Sequence, residues 1–386
     1  MKTKIKTLWP ILLLSLIPTL LIWLPFFLRL NSFWTIPLPQ SGMATIVANY
    51  DGPLYIVIAK TLYNKVLITS NYAFTLPVEY YAAHLPLYPW LIRIFATVVG
   101  YPYSMLGLTL ASSILSIYFF QKLALQFVKK EDVLWLTFVF SILPARWLIV
   151  RSVGSAEPLF VAAIIASVYY FRDKKYWLAG IWGAVAQLVK SPGILLFIAY
   201  VFALVVPQVK KLLLSSSAKW AKILNLKKIY PLLLIPLSLL SVFVYYYFVM
   251  GDFWAYFNSG DNIHLFFPPF QIFNYSAPWV GTFWLEEIIF VYLIGLMGLI
   301  KLYYQKAGVI TWFVGIFFGT LLFVSHRDII RYALPIVPFL ILAYSKTIIK
   351  KEFRIVMMVL VIPIYLFSLA YISQNVMQIS DWSPFL

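Results

Sequence analysis

Apolar runs close to the ~20 residues that a helix needs to cross hydrocarbon recur along the chain, separated by short polar clusters. The ten-residue alternation of a membrane barrel is missing from them. The pattern predicts helices at 8–28, 104–127, 133–150, 155–171, 176–190, 193–207, 229–250, 285–300, 308–324, 332–345 and 355–373, about eleven crossings in all. "LPLYPWLIRIFATVVG" (85–100) is shorter and carries two prolines and Arg93, so it reads as a re-entrant or interfacial helix. Residues 1–386 are thus expected to form one all-α integral-membrane domain, a polytopic bundle. Its two long polar connections, 29–103 and 251–284, fall on one face.

Composition sharpens this picture. Of the 386 residues, 63% are hydrophobic and 11% charged, with a mean hydropathy of +0.89, far outside the soluble range. A net charge of +17 would suggest nucleic acid in a soluble protein. Here the lysines cluster between apolar runs, as at 2–6, 122–130, 172–175, 210–228 and 346–354, which is how loops facing an anionic leaflet look. Nucleic acid is therefore not an expected partner, whereas membrane lipids are. With the N-terminus inside, most of the 30 basic residues fall on the inner face, and counting 85–100 as a crossing would reverse that. The absence of cysteine excludes disulfides and thiol chemistry. The first apolar run is too long for a signal-peptide core and lacks a small-residue cleavage site, so it is expected to be retained.

The outer face then receives most of the 13 acids, among them Asp51, Glu79, Glu157, Asp261 and Asp328, and all three histidines. Minority cations accompany them: Arg29, Lys60, Lys65, Arg93, Arg146, Arg151, Lys190, Arg327 and Arg331. Cations on the face that the inside rule leaves poor point to an anionic ligand, with snorkelling to lipid headgroups as the alternative. "NYDGPLYIVIAKTLYN" (49–64) has apolar residues at helical spacing and is expected to lie along the membrane surface.

Four segments carry a resemblance: "YDGPLYIVIAKTLY" (50–63), "HLPLYPWLIR" (84–93), "SAEPLFVAAIIASVYYFRDKKYWLAGIWGAVAQLVKSPG" (155–193) and "RYALPIVPFLILA" (331–343). In order and spacing they resemble the PIG-V-like mannosyltransferases, multi-pass glycosyltransferases of the GT-C fold, over most of 45–345. The resemblance implies a transmembrane bundle with membrane-surface helices in its first outer loop. It also implies a polyprenyl- or dolichyl-phosphate sugar donor, inversion at the sugar carbon, and an acceptor cavity on the outer face. The family's first-loop aspartate falls on Asp51, and the glutamate of its Tyr-Ser-Glu pattern on Glu157. Tyr50 stands where the family often has Trp, followed by Tyr55 and Ile58-Ala59. "VKSPG" replaces Thr-Arg-Pro-Thr-Gly, so Lys190 matches an arginine as a cation without its fork.

Transfer from a lipid-phosphate sugar needs a base at the acceptor hydroxyl and cations for the departing phosphate. Asp51 is the expected base, its pKa raised by a partly dry pocket; a turn or cap charge is the competing reading. Arg331, with Arg327, Lys190 and His264, is the expected phosphate-binding set, Arg327 and Arg331 sharing a face if that stretch is helical. An internal ion pair of Arg331 with Asp328 or Glu157 competes with that role. Tyr50, Tyr55, Glu79, His84 and Glu157 complete the candidates, in acceptor-binding or supporting roles. No paired-acid or His-x-x-x-His motif supports a metal, so metal-independent transfer with no resident cofactor is expected, to a glycan, glycolipid or protein acceptor. The location expected is a prokaryotic plasma membrane, with the N-terminus cytoplasmic and the site outside. A polytopic transporter or lipid flippase remains the alternative, and an inactive partner subunit a third reading.

Overall fold

The computed structural model describes residues 2–74, 76–213, 229–260, 264–277 and 284–386. Lys219, Lys222, Lys227 and Lys228 of the expected inner basic cluster, and Asp261 of the second outer loop, lie outside the described residues. The protein is mostly helical. In chain order its helices are α1 Lys2–Phe27, α2 Met43–Val47, α3 Gly52–Thr61, α4 Lys65–Asn71, α5 Leu87–Val99, α6 Tyr101–Ala124, α7 Lys130–Ile142, α8 Ala145–Val150 and α9 Glu157–Arg172. There follow α10 Tyr176–Val189, α11 Ile194–Leu213, α12 Leu234–Met250, α13 Trp284–Tyr304, α14 Val309–Leu321, α15 Ile329–Ala333, α16 Val337–Ala343, α17 Ser345–Ile348 and α18 Lys351–Gln374.

Among the described residues, five stretches are long and apolar enough to span a bilayer: Trp9–Phe27, Tyr101–Ala124, Ser191–Lys211, Tyr230–Met250 and Lys351–Gln374. Every helix expected from the apolar pattern meets a helix here, but two are broken. Pro144 divides 133–150 into α7 and α8, and Pro335 and Pro338 divide 332–345 around a 3-10 turn, because proline supplies no N–H to the helical ladder.

α9 is the axis of the bundle. Its residues from Glu157 to Val168 are all buried, and it packs between α6 and α10. A helix that is apolar all round belongs in such a place. α10 in turn lies against the turn leading into α12, so closely that a Cβ on Gly180 would fall 2.1 Å from the Pro231 carbonyl oxygen.

The first outer loop departs from expectation. Rather than lying on the membrane surface, α3 is enclosed by protein: Gly52 to Ala59 are all buried, and the helix packs on α5 and α6. The run Leu54-Tyr55-Ile56-Val57-Ile58-Ala59 offers no polar face to water, which is the physical reason. The element with an exposed apolar face is instead α5, which buries Tyr88, Pro89 and Ile92 and exposes Ile94, Phe95 and Val98. At 13 residues it is ~20 Å long, short of the ~30 Å hydrocarbon thickness. The end of α18 and the segment after it strap this loop down: the Asn49 side chain donates to Ile372 O at 2.8 Å, Met377 N to Ala48 O at 2.8 Å, and Lys60 Nζ to Pro384 O at 2.8 Å.

Several minority cations serve the backbone. Arg93 donates to the carbonyls of Ala59 and Lys60 at the end of α3, at 2.8 and 3.0 Å. Arg151 is fully buried and, among the described residues, meets no carboxylate. Pro18 leaves Leu14 O without its helical donor, and the break at Pro144 strands Ser141 O at the end of α7. Arg151 donates to both of these carbonyls and to Ser15 O at 2.7 Å. Arg151→Met is therefore expected to destabilise the protein by on the order of 3 kcal/mol, because two carbonyls lose their donor in a dry interior. Thermal unfolding in detergent reads this directly, and an unchanged midpoint would mean that the carbonyls find other donors.

Candidate functional site

The chain brings ionisable groups expected on the outer face together at the ends of helices. Antiparallel α9 and α10 place the start of one beside the end of the other. Glu157 opens α9 and Lys190 follows α10, each with the sign that its helix dipole favours. Lys190 Nζ lies 2.9 Å from Glu157 Oε1. Glu157 does not cap its helix; its other oxygen accepts from the Ser155 hydroxyl. Ser155 is in turn tied through Thr109 to Tyr88, the two hydroxyls lying 2.6 Å apart.

Arg331, on α15, joins this pair to the first outer loop. Its Nε donates to Glu157 Oε1 at 2.7 Å and its Nη2 to Asp51 Oδ2 at 2.9 Å. The guanidinium carbon lies 4.2 Å from the centre of the Tyr50 ring. Asp51 stands at the head of α3, where a Cβ on Gly52 would fall 2.3 Å from Val47 O, so the turn into the helix accepts only glycine there. Tyr50 adopts a left-handed φ of 48°, costly for a bulky residue, and several partners hold it there. Besides Arg331, Arg146 Nη1 donates to its hydroxyl at 3.1 Å, and the Tyr371 ring lies alongside.

His84 Nε2 lies 3.8 Å from Asp51 Oδ2, and its Nδ1 is buried without a partner among the described residues. Its carbonyl is fixed by the Tyr63 hydroxyl at 2.5 Å, and Tyr55 meets its ring edge-on. Behind Tyr50, Arg146 pairs with Asp328 at 3.0 Å and stacks on Tyr371 at 3.8 Å. The cluster thus sets three acids, Asp51, Glu157 and Asp328, against three bases, Arg146, Lys190 and Arg331, with His84 beside them. Glu157 is 5% exposed, whereas Asp51 and Lys190 each keep 27% of the side chain accessible, so these two form the open side.

These neighbours reverse the expectation for Asp51. Burial pushes its carboxyl up, but Arg331, His84 and Lys190 more than offset burial and hold it well below the ordinary carboxylate range. Asp51 is a carboxylate at any physiological pH and, so clamped, a weak base. Asp328 is the contrary case: burial raises it, against the pull of Arg146 and Arg331.

Not every candidate joins. Glu79 is exposed and pairs at 3.5 Å with Lys65, away from Asp51. Arg327 lies exposed in a turn before α15 and does not share a helix face with the inward-drawn Arg331, because the helix begins only at Ile329. His264 packs against the His326 ring at 4.5 Å and meets the Tyr332 ring edge-on at 6.0 Å, and its carbonyl accepts from Ser325 N. The pair competing for Arg331 is formed in part, with Glu157 but not with the Asp328 carboxylate. Sequence reasoning missed the Arg146–Asp328 pair and Tyr371; the unusual outer position of Arg146 was the one signal available. No group of three or more His, Asp or Glu among the described residues is arranged to hold a metal ion.

Comparison of the chain with family models, curated proteins and solved structures finds no match.

Proposed function

We propose that the protein is a GT-C-type glycosyltransferase that moves a sugar, mannose on the resemblance, from a polyprenyl-phosphate carrier to an acceptor at the outer membrane face. In this reading α7–α8, α9, α10, α13, α14 and α15–α16 cross the membrane along with the five long spans, giving about eleven crossings with the N-terminus inside. One observation carries the proposal. The four segments of the resemblance, far apart in sequence, each supply ionisable groups to one partly open cluster: Asp51, His84, Glu157 with Lys190, and Arg331.

The chemistry follows from the pairings. The acceptor oxygen attacks the anomeric carbon while the bond to the carrier phosphate breaks and the phosphate leaves with the electron pair. The hydroxyl proton passes to Asp51. At rest Arg331 is divided between Asp51 and Glu157 and keeps Asp51 a poor base. A donor phosphate on the open side competes for Arg331 and Lys190. As it draws them, Asp51 loses its clamp and gains basicity, so the base is released when donor arrives. Arg331 and Lys190 then carry the charge that develops on the leaving phosphate, and Glu157 holds them in place.

The test is transfer of label from radioactive polyprenyl-phosphate mannose to a membrane lipid extract by the purified full-length protein. Labelled acceptor is expected. If no carrier-linked mannose, glucose, galactose or arabinose is transferred, while labelled lipid crosses reconstituted vesicles, the transporter reading replaces this one.

A further inference from the structure

A cationic pocket lies at the end of α9 and α10 away from the Asp51 cluster. Glu157 opens α9 and Arg172 closes it, so the two are separated by ~22 Å along the helix. The pocket has a volume of about 500 Å³ and sits between the α9–α10 turn, the α13–α14 turn and the facing sides of α11 and α14. Arg172, Lys174 and Lys306 line it, with Phe171, Pro207 and Trp312 as its apolar wall. Asp173, the only acid on the wall among the described residues, is paired with Lys175 at 2.6 Å. Positive charge is therefore in surplus here, unlike in the Asp51 cluster.

Arg172 is fixed in orientation: Nε donates to Gln126 Oε1 at 2.8 Å and Nη1 to Ala307 O at 2.9 Å, while Nη2 keeps no partner among the described residues. Lys174 and Lys306 also have no ion-pair partner among the described residues. Each occupies a left-handed turn position, with φ of 59° and 53°, where glycine or asparagine would cost less. A lone lysine at a helix end is explained by snorkelling, and Arg172 alone by the dipole of α9. Neither explains three cations from two separate turns converging on one concave, aromatic-walled volume. The wall continues outward through Phe202, which stacks on Trp312 and is exposed on an apolar helix long enough to span the bilayer.

We infer that this pocket binds the phosphate headgroup of an anionic membrane lipid, with Arg172, Lys174 and Lys306 on the phosphate and the lipid chain along α11 and α14. Basic pockets between membrane helices bind such headgroups, and each lysine near the phosphate strengthens binding about fivefold.

Native mass spectrometry of the full-length protein with phosphatidylglycerol or phosphatidylcholine tests this. The wild type is expected to retain phosphatidylglycerol in preference. Lys174→Gln and Lys306→Gln, both on exposed turns, should each weaken retention by about fivefold while sugar transfer stays as in the wild type. Displacement of the lipid by excess inorganic phosphate would support the headgroup contact. Equal retention of both lipids, or unchanged retention in the variants, would overturn the proposal. So would stabilisation by inorganic phosphate in a protein that retains no lipid, which would make the site one for soluble phosphate.

Discussion

Asp51→Asn is expected to lower kcat of the proposed sugar transfer by about 100-fold or more, the usual contribution of a positioned general base. Asparagine matches aspartate in shape and still accepts the bond from Arg331 Nη2, so donor binding should not weaken, while the thermal midpoint should fall modestly because Arg331 loses the charge of one of its two carboxylates. What is lost is the capacity to take a proton from the acceptor hydroxyl. Donor KM near the wild-type value beside a collapsed kcat is the signature of that role. Asp51 is clamped in the resting protein, so the variant also tests whether its pairing with Arg331 is only structural. Transfer at the wild-type rate would remove Asp51 from the chemistry and leave His84, with its unpartnered Nδ1, as the next group to change.

The second large effect falls on stability. Glu157→Gln leaves Lys190 and Arg331 without the carboxylate that both share, in a site where Glu157 is 5% exposed. Removing one partner from a buried ion pair costs about 3–5 kcal/mol when the remaining charge stays buried and uncompensated; Lys190 keeps 27% of its side chain accessible, so the lower end of that range is expected. Arg331 retains Asp51, so Lys190 is the group most exposed to the loss. A thermal midpoint well below that of the wild type is expected, with partial recovery in Glu157→Gln combined with Lys190→Met. An unchanged midpoint in the single variant would show that water or lipid already satisfies these cations.

The sequence made the helices legible, since apolar runs of bilayer length leave the chain few other structures. Proline marked the two places where runs 133–150 and 332–345 break, although sequence reading had carried helices through both. The burial of α3 was also readable in principle. The apolar residues at 54, 57, 58 and 62 suggested one greasy face, but residues 55, 56 and 59 leave no polar face opposite it. Glu157 and Lys190 could be expected near one another because they end antiparallel neighbours. The reach of Arg331 to both Asp51 and Glu157 could not, since no local rule connects positions so far apart. The sign of the shift at Asp51 was misjudged for the same reason: burial is readable from surrounding apolar sequence, whereas the opposing charges arrive from distant segments.

The equal numbers of acids and bases in the Asp51 cluster bear on how substrate reaches it. Opposite charges within a few ångströms cancel each other's field beyond about a Debye length, ~8 Å at physiological ionic strength. Such a site exerts little long-range pull on an anion in solution and does not steer soluble phosphates toward itself. A carrier confined to the bilayer needs no such steering, because two-dimensional diffusion along the membrane brings it to the bundle. The balanced cluster therefore favours ligands delivered sideways through lipid over those arriving from the aqueous phase.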